Sequence, residues 1–166
     1  MKTRLVVIVT AATLAAVGAI ACEGRDRGTP AEAPAAQRRE DTSVYGRYLA
    51  IQAALAADSL AGVADAASAI ARGVRADTTG TMLPAVAEQA EAVAQAADLA
   101  AAREAFKLLS ESLIESLASL PEKDRYYVVD CPMAKGRWLQ DSKTIANPYY
   151  GKSMLRCGEI SETSKE

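Results

Sequence analysis

Four consecutive segments between residues 44 and 120 repeat apolar side chains at helical spacing, and this pattern restricts the fold more than any other feature of the chain. The segments run from 44 to 57, 59 to 75, 83 to 97 and 99 to 120. In the second, apolar residues recur at intervals of three and four, at Leu60, Val63, Ala67, Ile70 and Val74. Each stripe gives its helix one buried face, so the pattern predicts helices packed against one another.

Residues at the segment ends agree with helix boundaries. Asp58 and Asp98 can cap the second and fourth helices with their carboxylates. Pro84 suits the first turn of the third helix, and Pro121 ends the fourth. Because the connections are short, neighbouring helices should run antiparallel, which predicts an up-down four-helix bundle over residues 43–121. Many apolar residues are Ala, with one Phe and one Trp, and closely packed helices suit this composition better than a β-sandwich.

The start of the chain has the pattern of an export signal. Lys2 and Arg4 precede an uncharged, mostly apolar run from 5 to 21, as in a secretory signal peptide. The run ends in Ala-Ile-Ala before Cys22, which resembles the lipobox of bacterial lipoproteins, where the Cys is lipidated. A plain cleaved signal or an uncleaved N-terminal anchor are the alternatives. All three place the folded part outside the cytoplasm. Residues 22–42 then form a flexible tether.

We therefore expect a periplasmic protein held on the membrane by a lipid anchor at Cys22. Glu23 follows the lipidated Cys, where Asp would retain an enteric lipoprotein in the inner membrane, so the outer membrane is favoured.

The composition changes after the helices, in residues 122–166. This C-terminal segment carries both remaining Cys, the only Trp and four of the six Tyr. The β-branched and aromatic run 126–129 predicts a strand, and 154–157 a second short strand. Asn147 to Gly151 marks a turn that would fold the second Cys back onto the first. The fold class is thus mainly α, with a small C-terminal β/loop segment packed on the bundle through Trp138, Tyr149 and Tyr150.

Cys131 and Cys157 admit competing chemistries. In an oxidising compartment they can form a disulfide, with 25 residues between them. Alternatively, they can bind a soft metal ion together with Met133 and Met154, because thiolates and thioethers suit Cu(I). The third alternative is a pair of free buried thiols. A disulfide and a metal site exclude each other at any instant, since a disulfide offers no thiolate.

Several function classes are excluded or disfavoured. The chain has no His, which excludes a Ser-His-Asp triad, a zinc protease site and a His-based copper site. The formal net charge of −2 gives no basic footprint for nucleic acid. A CxxC redox motif is absent and no carboxylate pair is recognisable, so we expect no enzymatic activity.

Three stretches carry a family resemblance: YGRYLAIQAALAADS (45–59), AFKLLSESLIESL (105–117) and VVDCPMAKGRWLQDSKTIANPYYGKSMLRCGEI (128–160). They resemble a bacterial domain-of-unknown-function family of exported proteins. That domain is also appended to periplasmic adaptor subunits of CusB-type heavy-metal efflux systems. The resemblance covers about residues 43–160, and the long C-terminal motif, which includes Cys131, Met133, Met154 and Cys157, is its most specific part.

The resemblance implies a context of copper and silver efflux, and it raises the metal hypothesis to the level of the disulfide. The leading hypothesis is therefore a non-enzymatic envelope lipoprotein of heavy-metal homeostasis. In it Cys131 and Cys157 bind Cu(I), with Met133 or Met154 as a weaker ligand, and an efflux complex is the partner. The alternative is a disulfide-linked structural or interaction module without a metal site.

Overall fold

The computed structural model describes residues 42–118 and 126–163, so the predicted signal segment, Cys22 and Pro121 lie outside the described residues. Four helices fill the first range: α1 (Val44–Ala56), α2 (Val63–Ala76), α3 (Pro84–Ala94) and α4 (Leu99–Leu117). Consecutive helices pack on each other, α1 on α2, α2 on α3 and α3 on α4. Among the described residues, none of the helices has the length and apolar character needed to cross a membrane. The predicted mainly α fold is confirmed.

Three helix starts follow from local sequence. The Ser43 side chain accepts a hydrogen bond from the Gly46 amide and caps α1. The Asp98 side chain accepts one from the Ala101 amide at 2.8 Å, as predicted for the cap of α4. Pro84 occupies the first turn of α3, where its missing N–H costs nothing.

The start of α2 differs from the prediction. The helix begins at Val63 rather than near residue 59, and its N-cap is Gly62, which has a φ of 74°. Asp58, predicted to cap this helix, has a φ of 59° and lies in the turn after α1. Its carboxylate instead binds the guanidinium of Arg103 on α4 at 2.6 Å. A charged partner that is distant in sequence outcompetes the local backbone amides.

A three-stranded antiparallel sheet follows the helices, in the order β2-β1-β3. Its strands are β1 (Tyr127–Cys131), β2 (Gly136–Gln140) and β3 (Glu159–Thr163). β1 was predicted, and β2 was not. The strand predicted at 154–157 is wrong, because these residues form a turn after a short 3-10 helix (Gly151–Ser153), and the strand begins two residues beyond Cys157.

The helices and the sheet share one hydrophobic core. β2 packs on α4 and α1. Aromatic rings fill this junction: Tyr48 stacks on Phe106 with centroids 4.8 Å apart, and Trp138 meets Tyr149 edge-on at 5.7 Å. Of the three residues predicted to pack the C-terminal segment onto the helices, Trp138 and Tyr149 are buried in this core and Tyr150 is half-buried against it.

Candidate functional site

The fold brings the two cysteines of the described residues into contact. Cys131 is the last residue of β1, and Cys157 lies two residues before β3. Asp130 of β1 pairs with Glu159 of β3. Because Cys131 follows Asp130 and Cys157 lies two residues before Glu159, this pairing brings the two cysteines together. The two Sγ atoms are 3.1 Å apart, and both cysteines are free thiols. Cys131 is buried and Cys157 is half-buried.

The distance between the sulfurs is compatible with two chemical outcomes. A disulfide bond needs about 2.05 Å between sulfur atoms. Two thiolates that bind one ion at about 2.3 Å each lie up to about 4.6 Å apart. The observed 3.1 Å lies between these values. A movement of about 1 Å closes the pair into a disulfide, and a movement of up to about 1.5 Å opens it around an ion.

The proton on Cys157 is held more tightly than on an isolated thiol. Its hydrogen bond with the Cys131 thiol raises the pKa of Cys157, and burial and the charge of a second thiolate raise the pKa further. At neutral pH Cys157 consequently keeps its proton until an oxidant or a metal ion displaces it.

The two methionines proposed as ligands lie in the turns next to the cysteines. Met133 lies in the β1–β2 turn, with its side chain 63% exposed, and its carbonyl accepts a hydrogen bond from the Tyr150 hydroxyl at 3.0 Å. Met154 is half-buried, and its carbonyl accepts from the Cys157 amide at 3.0 Å. The turns that contain Met133 and Met154 thus lie next to the two cysteines in the chain. A bond from either thioether to a metal ion stays a prediction. Across residues 42–118 and 126–163, no three His, Cys, Asp or Glu side chains cluster as metal ligands.

The sequence places Asn147 in a turn and in the long C-terminal motif of the family resemblance, and the structure gives it a further role. Asn147 is fully buried, and its side-chain amide donates to the Cys157 carbonyl at 2.8 Å. Its side-chain oxygen accepts from the amides of Tyr149 and Tyr150. The only local signal was the preference of Asn for turns in which its side chain binds backbone amides two residues on.

Arg103 is a second residue that the sequence did not single out. It lies on α4, and its Nε donates to the Pro148 carbonyl at 2.9 Å, while Nη2 donates to the Leu55 carbonyl and to Asp58. The Asp58 carboxylate also accepts from the Lys152 amide at 3.2 Å. These contacts join the loop around Asn147 to two helices. Nothing in the local pattern of an exposed-looking helical Arg indicates them.

Trp138 supports the site from within the sheet. It is fully buried, and its Nε1 donates to the Gln140 side chain at 3.1 Å. Gly158, next to Cys157, has a φ of 143°, and a Cβ there would lie 2.8 Å from the Trp138 ring. Glycine is thus required at this position both for its backbone and for the close approach of the ring.

Comparison with known proteins gives one family match, to the helical part of the chain. Neither the curated proteins nor the solved structures contain a match to it. Residues 44–124 match the family described as "Protein of unknown function (DUF3347)". The match spans all four helices and ends at residue 124, before Cys131 and Cys157. The helical part of this chain is therefore similar to a family of domains of unknown function, DUF3347.

Proposed function

We propose that this protein is a non-enzymatic envelope lipoprotein of heavy-metal homeostasis that binds Cu(I), or a similarly soft ion such as Ag(I), between Cys131 and Cys157. The observation that carries the proposal is the contact of the two thiols, whose Sγ atoms are 3.1 Å apart although 25 residues separate them in sequence. The protein would be held at the membrane by Cys22 and would scavenge the ion or pass it to an efflux complex.

The donor set supports a soft monovalent ion. Thiolates, with thioethers as weaker additional ligands, are the donors that Cu(I) favours, and a chain without His offers no imidazole to a harder ion. Two thiolates and one monovalent cation carry a net charge of −1. Residues 131–158 carry five Lys or Arg against one Asp, so the net charge of this segment is opposite in sign to that of the complex.

The exposure of the two cysteines suggests how an ion would enter the proposed site. Cys157 is half-buried, whereas Cys131 is buried, so an ion can reach the pair from the Cys157 side. Met133 is exposed in the turn that follows Cys131 and can serve as a first contact for an incoming ion. Entry would then proceed from Met133 or Cys157 to the buried thiol.

Competitive titration tests the proposal. The full chain, purified in mild detergent and reduced without oxygen, is titrated with Cu(I) against a colorimetric Cu(I) chelator. We expect one ion to bind per chain. Cys131→Ser and Cys157→Ser should each lower the Cu(I) affinity by more than about 100-fold, because substitution of residues that only support metal ligands costs about 10–100-fold. Apparent affinity should rise with pH, because binding displaces thiol protons.

Two control variants sharpen the result. Cys22→Ser removes the third cysteine and should leave the Cu(I) affinity unchanged. Met133→Leu preserves side-chain volume and tests the thioether, with a smaller loss expected than for either cysteine. A reduced protein that fails to compete with the chelator, or whose binding survives both cysteine substitutions, would refute the metal site.

A second candidate function is a disulfide-linked interaction module of the envelope. The same 3.1 Å distance favours it, because closing the bond requires a shift of only about 1 Å. With 25 residues enclosed, the crosslink would stabilise the fold by about 3 kcal/mol. Thiols are counted by alkylation of the denatured protein, isolated from a periplasm without reductant. A fully oxidised pair that binds no Cu(I) after reduction would favour this module over the metal carrier.

A further inference from the structure

Cys157 lies outside the helices and strands, so no β-ladder hydrogen bond fixes its position. β3 begins at Glu159, and the residue between them, Gly158, has a φ that other residues rarely adopt. The Cys157 amide donates into a local turn, to the Met154 carbonyl. The position of the thiol therefore depends on contacts outside the β-ladder.

One of these contacts comes from a buried side chain. The Asn147 amide group donates to the Cys157 carbonyl at 2.8 Å, and the Asn147 backbone amide donates to the Leu155 carbonyl at 2.9 Å. Asn147 thus binds the chain directly at Cys157 and again two residues before it. Its side-chain oxygen is engaged by the amides of Tyr149 and Tyr150, so the orientation of the whole amide group is set.

The loop that carries Asn147 is itself bound to the helices on both sides of that residue. Before it, the Gln52 side chain on α1 donates to the Ala146 carbonyl. After it, Arg103 on α4 donates to the Pro148 carbonyl and pairs with Asp58. Asn147 therefore links Cys157 by hydrogen bonds to a loop that is bound to α1 and α4. Cys131, in contrast, is positioned by its pairing in the sheet.

We propose that Asn147 is a positioning residue of the thiol pair, and that its side-chain N–H to the Cys157 carbonyl keeps Cys157 within reach of Cys131. This inference rests on the proposal that the pair is the functional site, and it applies to the metal-bound form and to the disulfide form alike. Both forms require the two Sγ atoms to come close together, and a loop that already holds Cys157 in place lowers the free-energy cost of doing so.

Thiol–disulfide exchange with glutathione measures that cost without any metal. Oxidised glutathione takes up two electrons and becomes two glutathione thiols, while Cys131 and Cys157 lose their protons and form one S–S bond. The equilibrium constant gives the effective concentration of one protein thiol at the other. Differential alkylation and peptide mass spectrometry of the full chain follow the two cysteines separately from Cys22.

Two substitutions separate the contact with Cys157 from the rest of the Asn147 interactions. Asn147→Asp keeps an oxygen that accepts from Tyr149 and Tyr150 and loses the N–H donor to Cys157. Asn147→Ala loses both. We expect the effective concentration to fall at least about tenfold in both variants, which makes the reduction potential about 30 mV less negative. The control Ser153→Ala removes one hydrogen bond of the same loop, to the Tyr150 carbonyl, and should leave the value within about twofold.

The outcomes are distinct from those of the metal experiment. If Asn147 only stabilises the fold, Asn147→Asp lowers the melting temperature of the reduced and oxidised forms equally, and the glutathione equilibrium stays unchanged. That result would overturn the inference, as would a loss in Asn147→Ala that is absent in Asn147→Asp. A wild-type protein that fails to bind Cu(I) refutes the proposed metal carrier and leaves this measurement valid. If Asn147→Ala does not fold, the glutathione equilibrium of Asn147→Asp alone tests the inference.

Discussion

At the level of single residues, the contact between the two thiols changes the acidity of Cys157. Its pKa is raised first by the hydrogen bond with Cys131, then by burial and by the charge of a second thiolate. Thiolates are the nucleophiles and the metal ligands, so a raised pKa keeps this residue unreactive near neutral pH. Thiol exchange at Cys157 should therefore be slow near neutral pH.

Removal of the partner thiol should make Cys157 more reactive. In Cys131→Ala, the hydrogen bond and the second charge are lost, so the pKa of Cys157 should fall toward its ordinary value. The thiolate then appears at lower pH, and alkylation of Cys157 by iodoacetamide between pH 7 and 8 should be faster than in the reduced wild type. The midpoint of the profile of alkylation rate against pH gives the pKa of Cys157 in each protein. Denatured protein serves as the reference for intrinsic reactivity. An unshifted midpoint would contradict the prediction.

At the level of elements, the loop from Asn147 to Ser153 is shaped by the helices beneath it. Gly151 has a φ of 55°, and a Cβ added there would lie 1.9 Å from the Asp58 carboxylate and 2.3 Å from the Arg103 guanidinium. The backbone of the loop therefore packs against this ion pair with no room for a side chain at Gly151. Gly151 thus permits both the left-handed conformation and the contact between the Lys152 amide and Asp58.

Gly151→Ala should destabilise the protein by about 2–4 kcal/mol, because a left-handed non-glycine residue is strained and the new methyl group displaces the ion pair. Gly80→Ala is a matched control. Gly80 also has a positive φ, of 67°, but a Cβ there meets nothing within 4 Å. Its substitution should cost only the backbone strain, about 1–2 kcal/mol. Urea unfolding of the two variants measures the difference, and equal losses would show that the contact with Asp58 is unimportant.

At the level of the whole molecule, a buried polar network joins the helices to the sheet. The Tyr48 hydroxyl on α1 hydrogen-bonds with the Ser110 hydroxyl on α4 at 2.7 Å and accepts from the Leu139 amide of β2 at 3.1 Å. Burial raises the pKa of Tyr48 far above its ordinary value, so the hydroxyl stays neutral. Because this group satisfies an amide on the outer edge of β2, the sheet depends on the helices.

Tyr48→Phe should therefore lower the free energy of unfolding by about 1–3 kcal/mol, since it leaves the buried Leu139 N–H without its acceptor. Ser110→Ala, which keeps that acceptor, should cost less, about 0.5–1.5 kcal/mol. Chemical denaturation followed by far-ultraviolet circular dichroism and by Trp138 fluorescence measures both. We expect the two signals to coincide, because helices and sheet share one core. Separate transitions would contradict this coupling.

The local sequence determined the helices and their simplest boundaries. Apolar periodicity predicted all four helices, and Asp98 and Pro84 begin α4 and α3 as their side-chain chemistry requires. These predictions succeeded because helical hydrogen bonds and caps join residues that are close in sequence. The two cysteines were also identified from sequence as a candidate pair, from their chemistry and their number.

Only the tertiary structure decided which partners the remaining polar groups take. It placed Asp58 on Arg103 instead of at a helix start and added the unpredicted strand β2 between the predicted strand at 126–129 and the turn at Asn147. It moved the last strand beyond Cys157. It also made Asn147 the residue that binds Cys157. Each of these contacts joins residues of different elements or segments, and their energies depend on burial and on charges that the local pattern does not contain.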